Sequence, residues 1–248
     1  MQALVLYSLK KQFVAAINGS QYFNKEKFIL NEQVAYSSFP DKFWGLGNNT
    51  PDNAEEPYSF NQYYIYLHLM RHLGNKFFIG GLMEFQNVMK TEYVAGGAFD
   101  KENIAGRNGY ISSGLGLSLT YDSRNDAFAP DKGMFAQAFF NRFDNILGSD
   151  FDFTNVVVDL RKYIRIYKRQ VLALQAYSLS NIGKQIPIRS LAALGGYSSM
   201  RGFYNGRYRD KQLLVFQSEY RFPIYKRFGA VAFGSLGDVA KSFDAFGF

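Results

Sequence analysis

Tyr110-Ile111-Ser112-Ser113-Gly114-Leu115-Gly116-Leu117-Ser118-Leu119-Thr120-Tyr121-Asp122 alternates along its length. Ile111, Leu115, Leu117, Leu119 and Tyr121 share one face of an extended chain, and Ser112, Gly114, Gly116, Ser118 and Thr120 share the other. A period of two predicts a strand over 110–122. Upstream, the same reading predicts strands at 2–8, 12–23, 27–39, 59–71 and 76–89. Downstream it predicts 132–144, 151–165, 169–182, 212–223 and 228–237, for about eleven strands in all. Within 151–165, Val156, Val158 and Leu160 oppose Asn155, Asp159 and Arg161. Within 212–223, Leu214, Phe216, Tyr220 and Phe222 oppose Gln217, Glu219 and Arg221.

The connections come in two kinds. Leu9-Lys10-Lys11, Asn24-Lys25-Glu26 and Gly74-Asn75 read as tight turns, whereas 40–58 and 90–108 read as long Gly-rich loops. Short turns alternating with long loops are the pattern of transmembrane barrels. Strands of about 11–14 residues exceed the ~5–6 usual in soluble sheets and suffice for the ~9–11 that a tilted strand needs to cross a bilayer.

Composition agrees. Hydrophobic residues make up 47% of the 248, yet mean hydropathy is only −0.20, because apolar and polar residues are dealt out in turn. No apolar run reaches the ~18–20 residues of a spanning helix. Aromatics at 18% suit the interfacial girdles of a membrane barrel. The absence of Cys excludes a disulfide scaffold and thiol chemistry, and is compatible with a periplasmic route. The net charge of +7 is spread over turns and strand ends, not gathered in a stripe, so nucleic acid is not expected as a partner. Alternation also builds soluble sandwiches, and periodicity does not say which face is inward.

Catalytic constellations are missing. His68 and His72 lie four apart on a strand with no third ligand in view, so neither metal nor cofactor is expected. Gly114-Leu115-Gly116 lies inside a strand, away from any strand-to-helix turn, and is not a phosphate loop. Its small residues are expected to relieve crowding on the polar face.

One connection is unusual. Residues 183–211 join two strands and carry Leu194-Gly195-Gly196-Tyr197-Ser198-Ser199-Met200-Arg201-Gly202-Phe203-Tyr204. A loop this long is functional or disordered, and its apolar anchors around one Arg predict that it folds back onto the protein.

Met200-Arg201-Gly202-Phe203 resembles the Val-Arg-Gly-Phe/Tyr loop signature of the BamA/TamA superfamily of outer-membrane assembly and translocation barrels. Tyr121-Asp122-Ser123-Arg124-Asn125-Asp126-Ala127-Phe128-Ala129-Pro130-Asp131-Lys132-Gly133 is similar to that family's periplasmic turn, with Tyr121, Asp122, Arg124, Phe128, Pro130 and Gly133 at its fixed positions. Glu219-Tyr220-Arg221-Phe222-Pro223 resembles the acidic strand after the loop, and 229–239 the strand after that. The order of the four stretches matches.

The resemblance implies an all-β, antiparallel transmembrane β-barrel in the bacterial outer membrane. The chain is then one partial barrel domain, 1–248, holding about eleven of about sixteen strands. The loop 183–211 is expected to fold into the lumen, where Arg201 meets Glu219. Residues Met1–Tyr7 carry no signal-peptide pattern, and nothing resembles the family's POTRA domains. Phe246-Gly247-Phe248 follows the Asp238 strand too closely to be the family's terminal recognition strand. The expectation is therefore a piece of a larger protein, or a chain whose edges pair with other chains.

The resemblance further implies a function without covalent chemistry: assisting insertion of outer-membrane proteins, or passing polypeptide or lipid across the membrane. Strand addition at a seam would template substrate strands. Expected partners are outer-membrane lipid and lipopolysaccharide, client barrels and other complex subunits. The alternatives are a barrel anchoring a surface-exposed enzyme or adhesin, of patatin-like type, and a structural subunit of an outer-membrane complex.

One position departs from the family pattern. Its last motif strand carries aromatic-x-Asp, and here the acidic position is Ser235, while Asp238 faces the other way. Arg201 then needs a substitute acceptor such as Asp159 or a Tyr hydroxyl. Otherwise it is a solvated loop residue that meets nothing.

Overall fold

The computed structural model describes residues 1–9 and 11–247, so Lys10 of the first expected turn and Phe248 lie outside the described residues. Thirteen strands follow in chain order: β1 (Gln2–Tyr7), β2 (Phe13–Phe23), β3 (Phe28–Phe43), β4 (Glu56–Gly74), β5 (Phe77–Tyr93), β6 (Tyr110–Asp122), β7 (Gly133–Phe143), β8 (Phe153–Tyr167), β9 (Gln170–Gly183), β10 (Ala192–Leu194), β11 (Tyr208–Asp210), β12 (Gln212–Tyr225) and β13 (Phe228–Ala240). Eleven form one antiparallel sheet in the order β1-β2-β3-β4-β5-β6-β7-β8-β9-β12-β13, and β10 and β11 pair separately inside the long loop. Each barrel strand pairs with its sequence neighbour, so every connection is a simple up-and-down one. Among the described residues the sheet does not close on itself: β1 and β13 are its edges.

Exposure settles which face is inward. Leu117 is 64% exposed while its neighbour Ser118 is 4% exposed, so on β6 the apolar face is the outer one. Leu115 and Leu119 are likewise exposed, and Ser112 and Thr120 buried. A soluble sandwich requires the reverse; a wall facing lipid requires this arrangement. Among the described residues no helix is long and apolar enough to cross a membrane, a statement that leaves crossing by strands untouched.

Strand ends differ from the sequence reading in an instructive way. Residues 40–43 and 56–58, expected in a loop, are paired strand, and β5 continues to Tyr93. Pro40 and Pro57 suggested a loop because proline cannot donate to a ladder. However, β2 stops at the Phe13–Ser38 pair and β5 joins β4 only at the Tyr58–Tyr93 pair. Both prolines therefore lie where one neighbour has run out and no donor is needed. Pro223 occupies the same kind of place beyond the last β9 pair at Arg221.

At the long-loop end the concave side is filled. Phe43, Tyr58, Phe99, Phe143, Phe153 and Ile188 form part of a buried apolar cluster drawn from wall strands and two loops. Phe99, in the short helix α1 (Ala98–Lys101), stacks on Tyr58 at 4.9 Å and meets Phe43 edge-on at 5.1 Å. Gly114 makes room beside Phe143, since a Cβ there would lie 2.7 Å from its ring.

Candidate functional site

The loop between β9 and β12 touches strands far apart in the sheet order. Its β10 and β11 pack on the inner side of β12 and β13, with Leu194 in a cluster with Leu213, Val215 and Val239. Met200 packs against the same cluster. Yet Arg189, Tyr204 and Arg209 of the same loop reach Asp41 on β3. One loop spanning third and tenth strands requires the sheet to curl around it.

Arg201 lies at the wall. Its Nη2 donates to Glu219 Oε2 at 2.8 Å, and its guanidinium lies 3.8 Å from the centre of the Phe233 ring. Glu219 and Phe233 are direct cross-strand partners, so one face of the β12–β13 pair offers both an anion and a π-face. That geometry suits a planar guanidinium and would not suit an ammonium equally. Gly202, at φ +107°, turns the chain after Arg201, and Phe203 lies 6.0 Å from Tyr208.

Among the described residues neither expected substitute acceptor, Asp159 or a Tyr hydroxyl, meets Arg201. Asp159 is occupied by Arg161 at 2.6 Å and by Gln175 at 2.9 Å. Ser235 pairs with Gln217 and so shares the face of Glu219, while Asp238 pairs with Leu214 on the opposite face. Asp238 accepts instead from Asn48 at 2.7 Å and from the Gly247 N–H at 2.8 Å. The second contact of Arg201 is the Phe233 ring, where the family pattern has an aromatic residue and a carboxylate together.

The turn 123–132 lies directly beneath. Arg124 grips Asp122 through Nη2 at 2.7 Å and Nε at 3.0 Å, and this bond holds its guanidinium above its ordinary pKa. Asp126 accepts from the Phe128 and Ala129 N–H groups at 2.7 and 2.8 Å, which keeps its carboxyl below the usual range. Asn125 Oδ1 accepts from the Asp131 and Lys132 N–H groups at 3.1 Å each. Gly133 has φ +107°, and a Cβ there would lie 2.3 Å from the Ser123 carbonyl oxygen. Tyr121 points outward against Phe77 at 4.9 Å, and Phe128 is exposed.

Turn and loop motifs meet through Arg221. Its Nε donates to Glu219 Oε1 at 2.7 Å, and its Nη1 reaches the Pro130 carbonyl at 3.4 Å. Arg165 pairs with Asp131 of the same turn, and Arg124 and Arg161 lie over Phe135 at 4.6 and 5.5 Å. The result is a lattice of alternating charges on the inner wall, holding loop, turn and β12 together.

A second anchoring point escaped the sequence reading. Asp41, buried near the top of β3, accepts from Tyr58 at 2.9 Å, from Arg189 and Arg209 at 3.2 Å each, and from Tyr204 at 3.2 Å. Burial together with Asp41 pushes the Tyr204 hydroxyl up to about 12. Nearby, buried Arg207 donates to Thr50 Oγ1 at 2.7 Å, the Thr50 carbonyl at 2.6 Å and Asp52 at 2.7 Å, and lies 4.3 Å from the Tyr208 ring. The charges in the loop were visible in sequence; their partner, more than a hundred residues upstream, carried no local signal.

The histidines serve packing and hydrogen bonding. His68 Nε2 lies 2.7 Å from Ser118 Oγ, and His72 packs on Phe78 at 4.8 Å. Among the described residues no group of three metal-ligating side chains occurs.

The family model described as the Omp85 superfamily domain matches residues 22–245. Among solved structures, the chain is similar to BamA from Haemophilus ducreyi lacking POTRA domains 1–3, with a TM-score of 0.61 and 16% identity. That match covers 91% of this chain and 49% of the other, so the chain spans about half the length of the protein it resembles. No curated protein matches the chain.

Proposed function

This chain belongs to the Omp85 superfamily, and on that premise we propose that it forms the wall and braced loop of a barrel that assists insertion of outer-membrane proteins or translocation of polypeptide or lipid. Its setting is the bacterial outer membrane, with the exposed leucines of β6 facing lipid. The observation that carries the reading is the contact of Arg201 with Glu219 and Phe233 on the inner wall. A passive pore gains nothing from a loop tied across its lumen. A barrel that must bend or part without collapsing needs such an internal strut.

The action is mechanical, without covalent catalysis. The loop, tied to β12 at Glu219 and to β3 at Asp41, fixes the distance between distant parts of the wall. An unpaired strand edge presents backbone groups that lipid cannot satisfy, and so it takes a further strand. Strand addition at such an edge is the physical step by which a client strand would be held.

The test is Arg201→Ala in the full-length protein, followed by the rate at which newly exported barrels reach their heat-resistant folded form. A several-fold slower rate, with the variant itself folded, is the expected result. An unchanged rate of barrel assembly and of export to the cell surface would overturn the proposal.

A further inference from the structure

The outer wall carries basic side chains that no protein group answers. Lys162 faces outward on β8, opposite Met134 and Leu174, and Arg71 faces outward on β4, opposite Phe28 and Ile79. Neither side chain has a hydrogen-bond or ion-pair partner among the described residues. A charge facing hydrocarbon is expensive and marks a functional site by default. Glu32, also outward, differs: Gln21 donates to it at 2.7 Å.

Both cations have the same surroundings. Each adjoins an apolar groove with a floor of small residues. Beside Lys162 the groove is an open trough of about 650 Å³, walled by Leu160, Leu174, Phe216 and Leu236 over Ser218 and Gly234. Beside Arg71 a smaller one of about 220 Å³ lies over Gly81, between Leu69, Ile79 and Leu117. Around Gly81 and Gly234 nothing lies within 4 Å of where a Cβ would be.

Each cation also lies one outward-facing step inside an aromatic pair on the short-turn side. Tyr220 and Phe222 stack at 5.3 Å below Lys162, because Tyr220 pairs with Leu172 and Leu172 with Ile164. Phe77 and Tyr121 lie 4.9 Å apart below Arg71. Such aromatics mark the membrane interface, and a long basic side chain one step inside it extends its charge to that level.

We propose that these are two phospholipid sites in the periplasmic leaflet. The cation takes the phosphate, and the groove takes an acyl chain. An apolar trough ending in a lone positive charge at headgroup depth is complementary to one anionic amphiphile lying along the wall. A peptide strand would bring polar backbone that this face cannot pair. The proposal rests on the membrane setting of the strands and is independent of the insertion and translocation reading.

The test uses the full-length protein in detergent, offered phosphatidylglycerol or diacylglycerol, with bound lipid counted by native mass spectrometry. The wild type retains phosphatidylglycerol and not diacylglycerol, which has the chains without the phosphate. Lys162→Gln and Arg71→Gln each lower retention about fivefold, Lys162→Arg preserves it, and Gly234→Leu lowers it by filling the groove with the cation intact. Heat-modifiable mobility reports that each variant is folded. Equal retention by the wild type and a folded Lys162→Gln/Arg71→Gln double variant would overturn the proposal, as would preference for lipid A over phosphatidylglycerol.

Discussion

Asp41 and Arg209 lie 168 positions apart in the chain and 3.2 Å apart in space. Their side chains are 8% and 5% exposed, so the pair is withdrawn from solvent. Removing one partner of such a pair strands the other charge and costs about 3–5 kcal/mol. Asp41→Ala leaves Arg209 and Arg189 without their carboxylate and frees the upper loop from β3. Denaturant unfolding in detergent should show that loss, together with new protease cuts between 184 and 207. A stability within about 1 kcal/mol of wild type would count against a burdened pair.

Gly133 tests the turn. Its φ of +107° and the Ser123 oxygen at 2.3 Å from a hypothetical Cβ leave no room for a side chain. Gly133→Ala should destabilise by about 1–3 kcal/mol and shift signals from Ser123 and Arg124 in NMR spectra. The neighbouring Met134→Ala, with no such backbone constraint, serves as the contrast.

Asp126 gives the turn a pH dependence. Its carboxyl is depressed by the Ala129 and Phe128 N–H groups, so the bonds stabilise the folded turn above the unfolded carboxyl value of about 3.9. That contribution disappears as pH falls through the lower folded value. Proteolysis of the turn should rise in that acid window, and Asp126→Asn should flatten the response because its amide oxygen accepts without titrating. An identical pH profile in the variant would exclude Asp126 as the source.

Ser235→Asp restores the carboxylate of the family pattern on the face that carries Glu219 and Phe233. Arg201 is about one-third exposed, so a new ion pair there is worth at most about 1 kcal/mol. The gain should vanish when Arg201→Ala is added, which a double-mutant cycle measures directly. Additive effects of the two substitutions would mean that Asp at 235 acts elsewhere.

The eleven wall strands were legible because alternation is a local signal: Leu117 and Ser118 announce a strand without reference to anything else. What that signal could not carry was which face is inward, since Leu117 outward and Leu117 inward have the same period. Pro40 and Pro57 misled for a related reason. Whether a proline interrupts a strand depends on whether the neighbouring strand reaches that far, and that is a property of register. Arg201 with Glu219 was within reach of sequence because both lie in recognisable motifs. Phe233 as the second contact, and Asp41 as the anchor for Arg189 and Arg209, depend on a curled sheet bringing its third strand to its tenth.

The insertion or translocation role proposed for this wall depends on the long loop lying inside it with Arg201 on Glu219. These residues contain no Cys, so Arg201→Cys with Glu219→Cys in the full-length protein, treated in intact cells with a membrane-permeant bis-maleimide whose spacer replaces the two long side chains, reads that contact with no background from this chain. With the loop inside the wall, a cross-link forms readily and an Arg201→Cys thiol is shielded from membrane-impermeant maleimide added outside. No cross-link, with rapid labelling of that thiol from the cell surface, would place the loop in solvent and contradict that role.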